Sequence, residues 1–353
     1  MDGGTPAAPA GAVLEHVDGR SLPAWYGLAG EQAESVAREH AAARRSAAVA
    51  DLGDRGVLAV TGPLRQKFLH GLLSQDVASR QPGQGCPAAL MDVKGRVLAL
   101  MRVLVSTDAI DLEMPESRLE TVEKVLVHYR VAAPVRFTRR PVGVVGLVGP
   151  AAREVLARAG TELPDLGAED HVATSLAGHP VRVARGGDLP AGGFVVHAEP
   201  AAAADVWGAL AAAGAVPLGR RALDVLRVED GRPWYGPDVT EDNLLHETGL
   251  LLEYHSSTKG CYVGQEVVAR LAGRGGNVSR ALRGLRLAGP AEPGATVSAG
   301  GRDVGRVTTA AESPRLGPIA MAYVHRNHFE PGSAVEVAGV AATVSLLPLE
   351  DER

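Results

Sequence analysis

Residues 57–69 read VLAVTGPLRQKFL, and residues 144–156 read VVGLVGPAAREVL. Each stretch is an apolar β-rich run, then Gly-Pro, then apolar residues at helical spacing. Gly62 and Gly149 make the turn. Pro63 and Pro150 suit the first helical position, where a missing N–H costs nothing. Two such openings about ninety residues apart predict two related α+β halves.

Outward from the first opening, the pattern predicts strands at 88–92, 96–105 and 110–114 and a helix at 116–129, with Leu119, Val122, Val125, Leu126 and Tyr129 on one face. After the second opening come strands at 180–184 and 193–197 and helices at 201–213 and 220–229. From Arg280 the character changes. Short β-runs at 282–287, 303–309, 319–324, 333–337 and 341–346 alternate with Gly and Pro turns, the spacing of a small antiparallel barrel. The expected division is an α+β domain over 1–140 with a frayed start, a second over 141–275 ending in the loop KGCYVGQE, and a C-terminal barrel over 276–353. The Gly-rich stretch at 272–277 reads as the hinge.

The 353 residues, 46% hydrophobic and 22% charged, suit two or three globular domains. A net charge of −5 leaves no broad basic footprint for direct nucleic-acid binding. No apolar run reaches the ~18 residues that span a bilayer. A cytoplasmic protein without a membrane partner is expected. Two cysteines, Cys86 and Cys261, are too few for a disulfide framework or a four-thiolate cluster within one chain. His325 and His328 lack a third ligand nearby, so no metal is expected. P-loop, G-x-G-x-x-G, G-x-S-x-G and H-E-x-x-H patterns are all absent.

The densest constellation is Lys259-Gly260-Cys261-Tyr262-Val263-Gly264-Gln265-Glu266, leading into VVARL. Gly260 and Gly264 permit unusual backbone conformations and close approach of a ligand or another chain. Gln265 and Glu266 open a helix, where a carboxylate is favoured. Cys261, flanked by Lys259 and near that helix start, reads as the reactive thiol. The alternative reading is a Gly-rich turn with a structural cysteine.

KGCYxGQE resembles the signature of the YgfZ family, which is related to the glycine-cleavage T-protein. The segments at 46–77, 149–156 and 223–239 resemble corresponding segments of both. The resemblance implies a three-domain clover-leaf around a cavity that holds tetrahydrofolate or a derivative. It also implies an accessory role toward iron–sulfur enzymes or their assembly factors, including tRNA-modifying enzymes. Arg55 and Leu223 correspond to positions lining that cavity, and Arg227 and Glu229 are retained there; Arg55 is expected to fork onto an anionic glutamyl tail. Lys259, Tyr262, Gln265 and Glu266 are further candidate contacts, and Cys261 the candidate catalytic residue.

Resemblance to the T-protein weakens where its chemistry lies. The two carboxylates of its acidic doublet fall on Ala99 and Leu100, its pterin-anchoring Glu on Ala191, and an Arg on Leu223. These losses argue against an active aminomethyltransferase. A folate-binding scaffold without chemistry is the remaining alternative.

Overall fold

Both Gly-Pro turns form as the repeat predicts, with φ of 109° at Gly62 and 108° at Gly149. The computed structural model describes residues 11–350 apart from residues 18, 187 and 274; the frayed start expected at 1–10 lies outside them.

Along the chain run β1 (Ala12–Val17), β2 (Arg20–Tyr26), α1 (Gln32–Arg45), β3 (Ala48–Asp51), β4 (Arg55–Thr61), α2 (Arg65–His70), β5 (Gly85–Met91), β6 (Val97–Val105), β7 (Ala109–Pro115), α3 (Leu119–Arg130) and β8 (Arg136–Arg140). There follow β9 (Gly143–Val148), α4 (Ala152–Arg158), β10 (His171–Leu176), β11 (His179–Arg185), β12 (Gly193–Ala198), α5 (Ala203–Ala212), β13 (Val216–Leu218), α6 (Arg220–Glu229), α7 (Leu251–Tyr254) and α8 (Gln265–Ala272). The last region contributes β14 (Arg280–Leu287), β15 (Thr296–Ala299), β16 (Arg302–Ser313), β17 (Gly317–His325), β18 (Ala334–Val337) and β19 (Val340–Ser345).

The first sheet has the order β5-β6-β7-β4-β8 and the second β10-β11-β12-β9-β3-β13, while β14-β17-β16-β15-β18-β19 close into a barrel. This is the α+β architecture expected, with two related sheets and a small C-terminal barrel. In both sheets the opening strand, β4 or β9, is flanked by two antiparallel neighbours. A Cβ on Gly62 would lie 2.1 Å from the Pro134 carbonyl oxygen, and one on Gly149 2.5 Å from that of Ser46. Glycine is required at both turns for the same reason: the strand that follows Pro134 or Ser46 starts against them.

Three expectations need correction. Helices α2 and α4 start at Arg65 and Ala152, so Pro63 and Pro150 sit in the turn and not at the first helical position. The expected boundary at 140 does not separate the sheets. Strand β3, from the N-terminal stretch, holds in the second sheet the place β8 holds in the first, and β13 pairs parallel beyond it. The cause is burial, because Ala48, Ala50 and Leu52 fill a core shared with Val144, Val148 and Leu226. The loop at 259–264 packs on the first sheet and not on the second: Gly264, with φ 84°, approaches the β5–β6 turn so closely that a Cβ would lie 2.7 Å from the Asp92 carbonyl oxygen.

Helix α6 joins the layers. Its apolar residues enter the second-sheet core, Val228 packs with Ile319, Met321 and Tyr323 of the barrel, and its polar residues tie to the barrel as described below. Among the described residues no helix is long and apolar enough to cross a membrane.

Candidate functional site

Neighbouring strands of the first sheet place three charged side chains on one face. Arg102 on β6 lies directly opposite Glu113 on β7, and Arg55 opens β4 opposite Pro115, two residues along from Glu113. Strand side chains alternate between faces, so Leu100 shares this face with Arg102 while Ala99 enters the sheet's apolar core. With Asp188 from the loop after β11, Arg220 at the start of α6, the 233–237 loop and Tyr254, these residues line a cavity of about 290 Å³.

The cavity's charges are cross-linked between the two sheets. Arg55 Nη1 donates to Glu113 Oε1 at 2.7 Å and Nη2 to Asp188 Oδ2 at 2.6 Å. His197 Nε2 on β12 bonds Glu113 Oε2 at 2.7 Å. Arg102 Nε donates to Glu169 at 2.8 Å and its Nη2 to the Arg185 carbonyl at 2.8 Å. Arg220 donates to Asp54 at 2.9 Å. Burial alone would raise the Glu113 carboxyl, yet Arg102, His197 and Arg55 hold it well below the usual carboxylate range. Trp234 packs among guanidinium groups, with those of Arg220, Arg227 and Arg55 at 4.9, 5.2 and 5.6 Å from its ring centroid. Tyr235 and Tyr254 add aromatic wall, and burial pushes the Tyr235 phenol up to about 12.

This arrangement can bind a flat, polar ring, and the carboxylates that line it are held by arginines. Asp54 and Glu113 are each engaged by arginine, and Asp188 is held through Oδ2. A general acid–base needs a pKa near the working pH, which Glu113 lacks.

Of the residues singled out in the sequence, Arg55 reaches the cavity, but its fork is occupied by Glu113 and Asp188 and not left open for a glutamyl tail. Leu223 does not line it; at 1% exposure it packs in the core with Val36, Leu226 and Trp234. Arg227 and Glu229 also lie outside the wall, as anchors of the barrel. Arg227 donates to Asp224 at 2.6 Å, to Thr309 of β16 at 2.7 Å and to Asp238. Glu229 takes His40 at 3.0 Å and Arg44 at 2.6 Å from α1 and Ser313 from β16. Against the upward push of burial, these bonds lower its carboxyl to about 2.

The KGCYVGQE loop is not part of the cavity lining either. It lies behind the wall: Tyr262 shares an apolar cluster with Leu100, Tyr235 and Tyr254. Lys259 Nζ donates to the carbonyl oxygens of His70 and Leu73 at the end of α2, where a cation is favoured. It also sits 4.9 Å from the Tyr262 ring centroid, and burial lowers its ammonium to about 8. Its ammonium is thus committed to the end of α2 and to the Tyr262 ring. Cys261 is exposed, Gln265 half-buried and Glu266 exposed. Cys86 is 2% exposed, and burial pushes its thiol up to about 12.

Sequence reasoning missed Arg102, Glu113, Asp188, Arg220 and Trp234. A signal existed for two of them: Arg102 interrupts VLALMRVLV and Glu113 interrupts AIDLEMP, and a charge inside a buried strand needs a partner. The Glu position implied at Ala191 lies on a different surface depression, lined by Gly192, Gly193 and Asp230, and the Ala191 N–H donates to Asp230 at 2.6 Å.

Residues 7–253 match the GCVT N-terminal domain, and residues 280–351 match the glycine cleavage T-protein C-terminal barrel domain. The aminomethyltransferase of Streptomyces coelicolor is 31% identical over 352 residues, covering 96% of this chain and 92% of its own. That of Rubrobacter xylanophilus is 32% identical over 329 residues, covering 89% and 84%. In fold, the crystal structure of the glycine cleavage system aminomethyltransferase T from Bartonella henselae superposes with a TM-score of 0.87 at 24% identity, covering 98% of this chain and 96% of that one. The paired sheets, the closed barrel and these matches over nearly the whole length place the chain in the glycine-cleavage T-protein family.

Proposed function

We propose that this chain binds a reduced folate in the central cavity and serves iron–sulfur enzymes without carrying out aminomethyl transfer. The observation that carries the negative half is Leu100, an aliphatic side chain in the cavity wall where the T-protein resemblance implies a carboxylate. A folate fits the lining: the cavity offers aromatic faces at Trp234, Tyr235 and Tyr254 beside the charged groups of Arg55, Arg220 and Asp188. The volume suits a pterin ring, with the remainder of the molecule leading out through the mouth. Tetrahydrofolate is expected to bind in the micromolar range, about −8 kcal/mol. Titration calorimetry tests this, and no heat at millimolar ligand removes folate from the account.

The iron–sulfur half of the proposal is supported by the YgfZ-type loop, which holds Cys261 exposed while Lys259, Tyr262 and Gly264 pin its flanks. A deletion strain assayed for several iron–sulfur enzymes and complemented with wild type or Cys261→Ser tests it. Full rescue by the serine variant ends the thiol's role.

The second reading, aminomethyl transfer of the glycine-cleavage type, is favoured by what the relatives are called: both aminomethyltransferases at 31% and 32% identity cover most of this chain. A reconstituted glycine-cleavage assay separates the two readings. Loss of positioned acid–base assistance costs roughly 10²- to 10⁴-fold, so turnover matching an authentic T-protein establishes the second reading and ends the first.

A further inference from the structure

The two sheets match strand for strand up to one place. Strand β8 lies beside β4 as β3 lies beside β9, both antiparallel, but β3 carries β13 on its far side in parallel, whereas among the described residues no strand follows β8. β8 is therefore an open edge. All its residues pair with β4 without a register shift, from Thr61↔Arg136 to Val57↔Arg140. Alternate residues of an antiparallel pair bond the neighbouring strand, so the others aim their N–H and C=O groups outward. Four of the five residues of β8 are exposed, where the first three of β3 are buried.

The open edge has a definite chemistry. Phe137 contacts Phe68 and Arg139 pairs with Glu123 of α3, so these two take the helix side of the sheet, while Arg136, Thr138 and Arg140 take the other. Arg140 shares the buried carboxylate of Asp111 with Arg182, at 3.0 and 2.5 Å, and two guanidinium groups on one carboxylate leave positive charge. Arg136, exposed, adds to it. A few residues along the chain from the Thr61↔Arg136 rung, where the two connections touch at Gly62 and Pro134, Leu64 is 44% and Val131 90% exposed. Arginines along an edge repel a second copy of the same edge. By the same sign they attract an acidic strand. We propose that β8 is a docking edge for an extended acidic segment of a partner protein, which adds to the first sheet in the place β13 holds in the second. The segment runs parallel to β8, as β13 runs to β3, with an apolar residue toward Leu64 and Val131. This surface is separate from the central cavity and independent of what the cavity holds.

The test uses the full chain and a dye-labelled peptide of alternating Glu and Val with a leading Leu, followed by fluorescence anisotropy and amide hydrogen exchange. Saturable binding below about 1 mM, with slowed exchange within residues 136–140, is expected. Methylating every second backbone nitrogen of the peptide, in one of the two alternations, is expected to weaken it about tenfold. Arg136→Glu is expected to weaken the acidic peptide about tenfold and to admit a lysine counterpart that the wild type refuses, a gain that a misfolded variant cannot give. No binding at millimolar peptide overturns the proposal. Equal binding by both methylated peptides means that charge alone holds the segment and overturns strand addition, as does protection away from β8. A single-stranded RNA that protects residues 136–140 where the peptide does not assigns the arginines to nucleic acid and overturns it too.

Discussion

The two halves that begin at Val57 and Val144 share a strand order and a turn, yet they are filled differently. Strands of the first sheet bury Arg102, Asp111 and Glu113, whereas the strands of the second bury only His171 and His197 among ionisable groups. The repeated frame therefore sets where strands and helices run but not what they enclose. The first half holds the cavity's charges, and the second answers them from loops and one strand, through Asp188, Glu169 and His197. The halves are locked together by unlike contributions, and a charge removed on one side leaves its partner stranded on the other.

The largest expected effect comes from breaking that lock. Glu113→Ala leaves Arg55, Arg102 and His197 around an empty acceptor, and loss of one partner from a buried ion pair costs roughly 3–5 kcal/mol. Chemical denaturation reads it. A loss below about 1 kcal/mol means the first sheet does not depend on its buried charges.

Next come the paired turns, which test whether the halves are equivalent as frames. Gly62→Ala and Gly149→Ala each force a Cβ onto a backbone carbonyl at positive φ, and each is expected to cost roughly 2–4 kcal/mol. Similar losses support the equivalence. A tolerated alanine at one turn breaks it.

Acid titration sharpens the comparison further. Burial holds His171 of the second half down at about 4, so the unfolded chain takes up the proton first and stability falls as pH drops from 6.5 to about 4. Glu229, at the barrel junction, has a folded value of about 2 against 4.5 unfolded; its contribution is complete above 4.5 and is lost as pH falls toward 2. Each shift corresponds to on the order of 3–4 kcal/mol. His171→Gln is expected to flatten the upper limb and Glu229→Gln the lower, followed by urea midpoints across pH. An unchanged upper limb in the first variant assigns that limb elsewhere.

The smallest expected change is at the exposed loop. Cys261→Ser is expected to alter stability by less than about 0.5 kcal/mol, and alkylation of the native protein is expected to label Cys261 before Cys86. Prior labelling of Cys86 contradicts the burial that separates the two thiols.

Local patterns carried much of the architecture. The two strand–Gly-Pro–helix phrases, the 220–229 helix and the strands of the barrel are legible because periodicity and turn chemistry act over a few residues. Strand β3 was not legible: four residues, two of them alanines, have too short a pattern, and only packing beside β9 assigns them to the second sheet. The candidate site divides in the same way. Arg55 and Leu100 could be placed at the cavity by resemblance to related sequences.

The sequence by itself determined the repeat, the barrel, the glycines at its two turns and the absence of a carboxylate at residue 100. Only the tertiary structure decided that Arg55 is bound to Asp188, 133 residues away, that Glu113 meets His197 across 84 residues, and that Lys259 caps the end of a helix nearly 190 residues earlier. The physical reason is range: backbone conformation follows from neighbours along the chain, whereas the partner of a buried charge is chosen by sheet register and by which layers meet.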